Sequence, residues 1–184
     1  MGFHTFDASE AERLERPDRY RWVSAEELIG PLVSAGLDVV ADLGSGTGFY
    51  TDSVASHVET VYGVDVQTEM HEFYREKGVP ENVDLVESDV ADLPFGDDEL
   101  DGAVSTMTYH EFASEEAVAE LARVIRPDGR LVVFDWSAAG DGGHGPPIDE
   151  RYAAADATEM LSEAGFTVDA AERTETFGVV ARSP

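Results

Sequence analysis

Short aliphatic runs that do not alternate with polar residues constrain this chain more than any other feature. They fall at Val39–Leu43, Thr60–Asp65 and Val83–Glu87, then at residues 101–106 and 130–136. A strand that is apolar on both faces must be covered on both, the condition of a parallel sheet sandwiched between helices. The segments between supply those helices: Ala25–Ala35, residues 49–56, Thr68–Lys77, residues 114–124 and residues 153–164. Ser114 ahead of an apolar stretch reads as a helix start and Ala164-Gly165 as a stop. This alternation predicts an α/β fold with a doubly wound, mostly parallel sheet. Two further runs, residues 167–171 and 177–182, are joined only by residues 172–176. That link is too short for a crossover helix, so one edge strand is expected to be antiparallel. A chain of 184 residues, 42% hydrophobic, has material for one domain with a real core. Residues 1–36 are expected to form a helical segment covering the site, and residues 37–184 the sheet core.

In such sheets ligands bind beyond the carboxyl ends of the strands, so the residues after each run carry the chemistry. The first run leads into Asp42-Leu43-Gly44-Ser45-Gly46-Thr47-Gly48. Glycines let the backbone turn tightly and approach a ligand. Their spacing, G-x-G-x-G, departs from the G-x-G-x-x-G of dinucleotide sites, and Phe49 stands where the third glycine would be. Asp42 suits a cationic amino group better than a pyrophosphate. Asp65 ends the second run, where a carboxylate can accept from both hydroxyls of a ribose. Asp89 follows the third run, placed to accept from an exocyclic amine, with Val90 packing on the ring.

These residues, with D-E-L-D-G-A-V-S (residues 98–105) and E-L-A-R-V-I-R-P-D-G-R-L (residues 120–131), resemble the class I S-adenosylmethionine-dependent methyltransferases. The small-molecule branch that includes quinone C-methyltransferases looks most similar. The resemblance implies a Rossmann-like seven-stranded sheet with an antiparallel last strand, and S-adenosyl-L-methionine as cofactor. It implies that Gly44, Gly46 and Gly48 border the methionine part, with Asp42 and Ser45. Asp65 and Val66 would hold the ribose side, Asp89 and Val90 the adenine, and Thr106 and Met107 the floor beneath the methyl group. His110 is the candidate base toward an O–H or N–H acceptor, or else a pocket-shaping ring. Tyr20, Trp22, Tyr109 and Glu111 are candidate walls for a small-molecule acceptor. Residues 6–22 and the late D-W…G-H-G-P-P-I stretch resemble a narrower prokaryotic subgroup of unknown substrate. The amino-methyltransferase motif of DNA enzymes is absent after the fourth run, which reads S-T-M-T-Y at residues 105–109. A nucleotide-dependent oxidoreductase and a non-catalytic cofactor binder remain the alternatives.

Composition narrows this further. The chain has no cysteine, which excludes a disulfide scaffold, an iron–sulfur cluster and a thiolate nucleophile. Its five histidines show no metal-ligand spacing, so no metal is expected. No apolar run suits a membrane span, and the N-terminal stretch resembles neither a signal peptide nor, despite Gly2, a myristoylation site. A cytoplasmic monomer or homodimer is expected. Twelve basic against thirty-nine acidic residues give a net charge of −27, and Lys77 is the one lysine. With no basic stripe, nucleic acid is not an expected partner. The acids are scattered, which reads as a solvated surface adapted to a salty cytoplasm. Self-repulsion should weaken the fold at low ionic strength, where the Debye length is several times that in about 1 M salt. The melting temperature is therefore expected to rise from about 0.05 M to about 1 M salt. A flat thermal-melting profile across that range would remove the halophilic reading.

Overall fold

The computed structural model describes residues 5–184; Gly2 and His4 lie outside the described residues. Seven strands form one sheet: β1 Val39–Leu43, β2 Thr60–Asp65, β3 Val83–Glu87, β4 Leu100–Thr106, β5 Ile125–Trp136, β6 Thr167–Glu172 and β7 Thr176–Arg182. Their order is β3-β2-β1-β4-β5-β7-β6. Neighbours pair in parallel as far as β5, and β7 runs antiparallel to both β5 and β6. The last strand is antiparallel as expected, but it lies inside the sheet, with β6 and not β7 at the edge. The two hairpin strands differ in what they can bury. β7, TFGVVAR, is mostly buried, whereas β6, TVDAAE, exposes Asp169 and the other alternate residues and closes the sheet with a polar edge. β5 also begins earlier than its apolar run. Ile125 pairs with Leu100 and Arg130 with Gly102, so the residues between bulge out of the ladder.

Helices α1 Ala25–Ala35, α2 Thr51–Ala55, α3 Thr68–Lys77, α4 Tyr109–Phe112, α5 Glu115–Val124 and α6 Ala154–Glu163 complete the chain. α1 opens on a reciprocal cap between Ser24 and Glu27 and ends at Gly36 in the left-handed region. One sheet face is packed by Leu28, Leu32, Val54 and Tyr74 of α1–α3, and the other by Leu121 and Leu161 of α5 and α6 with Phe177. Tyr109 belongs to that second core. It is fully buried, with its hydroxyl against Met160 Sδ at 3.5 Å, and is not a wall for an acceptor.

The N-terminal segment is built of 3-10 turns, Ala8–Glu15 and Pro17–Arg21. Glu15 reaches the glycine loop at Thr47 and the Lys77 Nζ at 3.2 Å. Lys77 also holds Asp52 at 2.9 Å and lies over the Tyr74 ring. The one lysine thus fastens this segment to the sheet core.

α2 is shorter than expected because the chain from Gly48 to Tyr50 is committed to packing. Gly48 has φ +79°, and a Cβ there would stand 2.1–2.4 Å from the Tyr74 ring. Gly48 therefore seats Tyr74 and does not line the cavity that Gly44 and Gly46 border. Gly48→Ala should destabilise the fold by roughly 1–3 kcal/mol from overpacking, with strain at positive φ added. A shift in urea midpoint checks this; an unchanged midpoint would mean the ring moves aside freely.

Candidate active site

A cavity of about 900 Å³ opens at the carboxyl ends of β1–β5. That is at the upper end for small-molecule sites and leaves room for more than one ligand. Residues of the N-terminal segment, among them Phe6, Leu14, Arg19 and Trp22, form one wall, and His144 to Pro147 form another.

Around it the structure brings together Asp42, Gly44, Ser45, Gly46, Asp65, Val66, Asp89, Val90, Thr106, Met107, His110, Glu111 and Trp22. Three expected residues are elsewhere, Gly48 as described above and two aromatic rings. Tyr109 is in the core, and Tyr20 stacks on Phe49 at 4.8 Å with its hydroxyl on Ser53, outside the cavity lining.

Each carboxylate is held differently. Asp65 accepts Gly46 N–H at 2.8 Å on one oxygen and Gln67 N–H at 2.9 Å on the other. A carboxylate has about four acceptor positions, so both oxygens keep capacity for a ligand. Asp89 accepts from Ala91 N–H at 2.8 Å. Asp42 is buried and accepts from Thr51 Oγ1 at 2.6 Å. Burial pushes its carboxyl up to about 6, the Thr51 bond opposes this, and the nearby Asp65 charge adds to it.

The β1 loop touches the β4 loop directly. Gly44 has φ +72°, and a Cβ there would fall 2.2–2.7 Å from Thr108, so only glycine allows this approach. Met107, the residue after β4, adopts φ +61° and donates its N–H to Phe134 O at 2.7 Å. A non-glycine residue held in the left-handed region at a cavity floor is strain of the kind that collects at functional sites.

Beyond Met107 lies His110, whose Nδ1 is 2.9–3.0 Å from the carboxylate of Asp135 at the end of β5. Asp135 is fully buried and also accepts the backbone N–H of His110 at 2.6 Å and of Trp136 at 2.7 Å. Burial opposes protonation of His110, but Asp135 outweighs it and the imidazole is held above its ordinary range. Burial pushes Glu111 up to about 7, against the pull of His110. His144 is exposed and lines the cavity rim, with its ring 4.9 Å from Trp22. Arg151 fastens its loop by bonds to His144 O, Pro146 O and Ser137 O. Asp135, alone between Phe134 and Trp136, gives no local sign of its partner, and Arg19 and Arg151 stand among other charged residues that mask them.

The sequence and the solved structures place this site in a family. Residues 41–133 match the methyltransferase domain family, about half of the chain. A crystal structure of an S-adenosylmethionine-dependent methyltransferase from Aquifex aeolicus is 31% identical with a TM-score of 0.81, over 98% of this chain and all of that one. The chain is 35% identical over 99 residues to a demethylmenaquinone methyltransferase of Corynebacterium kroppenstedtii, covering 53% of this chain and 42% of that protein. It is also 35% identical over 103 residues to a probable tRNA methyltransferase 9B of Mus musculus, covering 54% of this chain and 22% of that one. The chain thus spans less than half the length of these curated relatives. It belongs to the class I S-adenosylmethionine-dependent methyltransferases.

The residues present suit that cofactor. Three separate carboxylates face one cavity, as a donor carrying an amine, a ribose and an adenine requires. Two buried hydroxyls among the lining residues, Ser45 Oγ and Thr106 Oγ1, lack hydrogen-bond partners among the described residues.

Proposed function

We propose that this protein transfers the methyl group of S-adenosylmethionine to a small-molecule acceptor. The observation that carries the reading is that Asp42 near the end of β1, Asp65 at the end of β2 and Asp89 just past β3 line one cavity together with His110, Glu111 and Trp22. Asp65 would accept the ribose hydroxyls, Asp89 the adenine amine with Val90 against the ring, and Asp42 the amino group. The cofactor supplies a methyl group on a sulfonium, already an activated electrophile. The chain's task is then to hold an acceptor in line above Thr106 and Met107 and to exclude water. Positioning of this kind can supply roughly 7–11 kcal/mol of a barrier.

A small acceptor is favoured because the N-terminal segment and the His144 loop wall the cavity on two sides. The acidic surface supports a cytoplasm of high salt and opposes an RNA acceptor, which would need cationic contacts. Calorimetry in molar salt with S-adenosylmethionine, its demethylated product and NAD tests the reading. Binding of the first two and not of NAD is expected; tight NAD binding alone would replace it with an oxidoreductase.

Asp65→Ala should leave the fold intact and remove a charge-assisted acceptor pair. The expected loss is about 1.5–3 kcal/mol, or roughly 10- to 100-fold in cofactor affinity. An unchanged dissociation constant in the folded variant would make Asp65 a scaffold for Gly46 and Gln67 only.

Affinity should also depend on pH through Asp42. Its raised carboxyl is ionised above about pH 6 and neutral below. Acid therefore removes the charge that would hold the amino group, and binding of the demethylated product should be about tenfold weaker at about pH 5 than at about pH 7.5. Calorimetry across this range in the wild type and Asp42→Asn checks it; the wild type's pH dependence should vanish in the variant.

A further inference from the structure

His110 and Asp135 form a built pair on the acceptor side of the cavity. Asp135 takes three N–H groups: the His110 and Trp136 backbone amides and His110 Nδ1. An acceptor-only carboxylate on Nδ1 fixes the neutral imidazole with its hydrogen on that atom. The lone pair is then on Nε2, which has no hydrogen-bond partner among the described residues; Glu111 Oε1 is 3.9 Å away. The backbone bond from His110 itself locks the start of α4 onto β5, so ring and main chain are oriented by the same carboxylate.

The wall beside this pair is aromatic, with its rings tilted against one another. The Trp22 ring lies 5.2 Å from Trp136 and 4.9 Å from His144. Gly145, at φ +78°, lies against Trp136 so closely that a Cβ would come within 2.5–2.8 Å of the indole. The charged groups facing His110 are acidic: Asp135 on β5, Glu111 on α4 and Glu150 on the turn Ile148–Glu150. Of the cavity's arginines, Arg13 pairs with Glu10, Arg16 with Asp18, and Arg19 lies over Phe49 and Tyr50.

Building on the methyl-transfer reading, we propose that Asp135 is a positioning residue that sets His110 as the base, and that the acceptor is an aromatic, neutral or cationic molecule whose nucleophile is an O–H or N–H. The acceptor's proton passes to His110 Nε2 as its oxygen or nitrogen lone pair bonds to the methyl carbon. The carbon–sulfur bond breaks with its electron pair staying on sulfur, which becomes a neutral thioether, and the imidazolium returns the proton to water. Because Asp135 favours the imidazolium against burial, the base form fills only above the ordinary imidazole range, and the rate should rise with pH there.

The test uses the full chain loaded with demethylated cofactor, with His110 resonances assigned by a His110→Gln variant. Imidazole NMR of the wild type should show the Nδ1–H tautomer and a raised pKa, and Asp135→Asn should lower that pKa. A wild-type Nε2–H tautomer, or a titration unmoved in a folded Asp135→Asn protein, overturns the positioning role; the wild-type measurement stands even if the variant fails to fold. Naphthol, naphthylamine, naphthalenethiol and naphthoate then probe the acceptor end, read by quenching of Trp22 and Trp136, the chain's two tryptophans. Saturable binding of naphthol or naphthylamine, with naphthoate excluded, is expected. Methylation of whichever binds should fall about 100-fold in kcat in Asp135→Asn with the donor KM unchanged. Failure of both to bind, equal binding of naphthoate, or a thiol methylated equally by both proteins overturns the acceptor class. Absence of cofactor binding instead overturns the methyl-transfer reading, leaving the His110 tautomer measurable in the unloaded chain.

Discussion

The adjacency of β1 and β4 is the constraint on which the rest depends. These strands lie side by side although the chain leaves β1 toward β2 on one side and returns to β4 on the other. Their two following loops therefore diverge and leave a crevice between them. Gly44 closes its floor against Thr108, and Met107 accepts a strained backbone there while bonded to β5. Everything functional is arranged on the rim of that contact. Asp42 and Asp65 face it from the β1–β2 side, and His110, backed by the buried Asp135, faces it from the β4–β5 side.

Electrostatics divide the cavity into regions of different character. Asp42 and Glu111 are buried carboxyls raised toward neutrality, near 6 and 7 respectively. They are held against desolvation by few bonds, which makes each responsive to a cationic ligand group. Asp135, by contrast, is bound by three donors and acts on its neighbour. The surface carries the large negative charge, while arginines of the N-terminal segment and Arg151 are used as struts, over rings or on carbonyls. In a chain so short of cations, nearly every one has a structural contact at or near the cavity wall or the sheet edges.

The strands β1, β2 and β3 were legible to the residue because buried parallel strands are written as uninterrupted aliphatic runs. The carboxylates at their tips were legible for the same reason: a charged residue ending such a run must be at its mouth. What stayed hidden depends on contacts between distant segments. Nothing local in T-F-G-V-V-A-R says that it inserts between β5 and β6, since that outcome is decided by competition for a covered site. Gly48 reads like its neighbours, and only the Tyr74 ring from α3 distinguishes it. Tyr109 sits one residue from His110, yet α4, too short to show periodicity, turns one ring into the core and the other toward the cavity. Asp135 gives no local sign of its role because its partner is 25 positions away.

The position of β7 has a consequence for the order in which the sheet can assemble. β6 precedes it in the chain but has no strand to join until residues 176–182 are in place, because β7 is its one neighbour in the sheet. β6 can therefore join the sheet only with or after β7, either as a β6–β7 hairpin docking on β5 or by adding to a β7 already in place. Until then α6, which packs on β6 and β7, has its apolar side uncovered. A nascent chain halted within residues 176–182 would hold a finished crevice and an unfinished flank. The half that carries Asp42 and Asp65 can thus mature before the half that braces Asp135, whose strand β5 pairs with β7 along its whole last half.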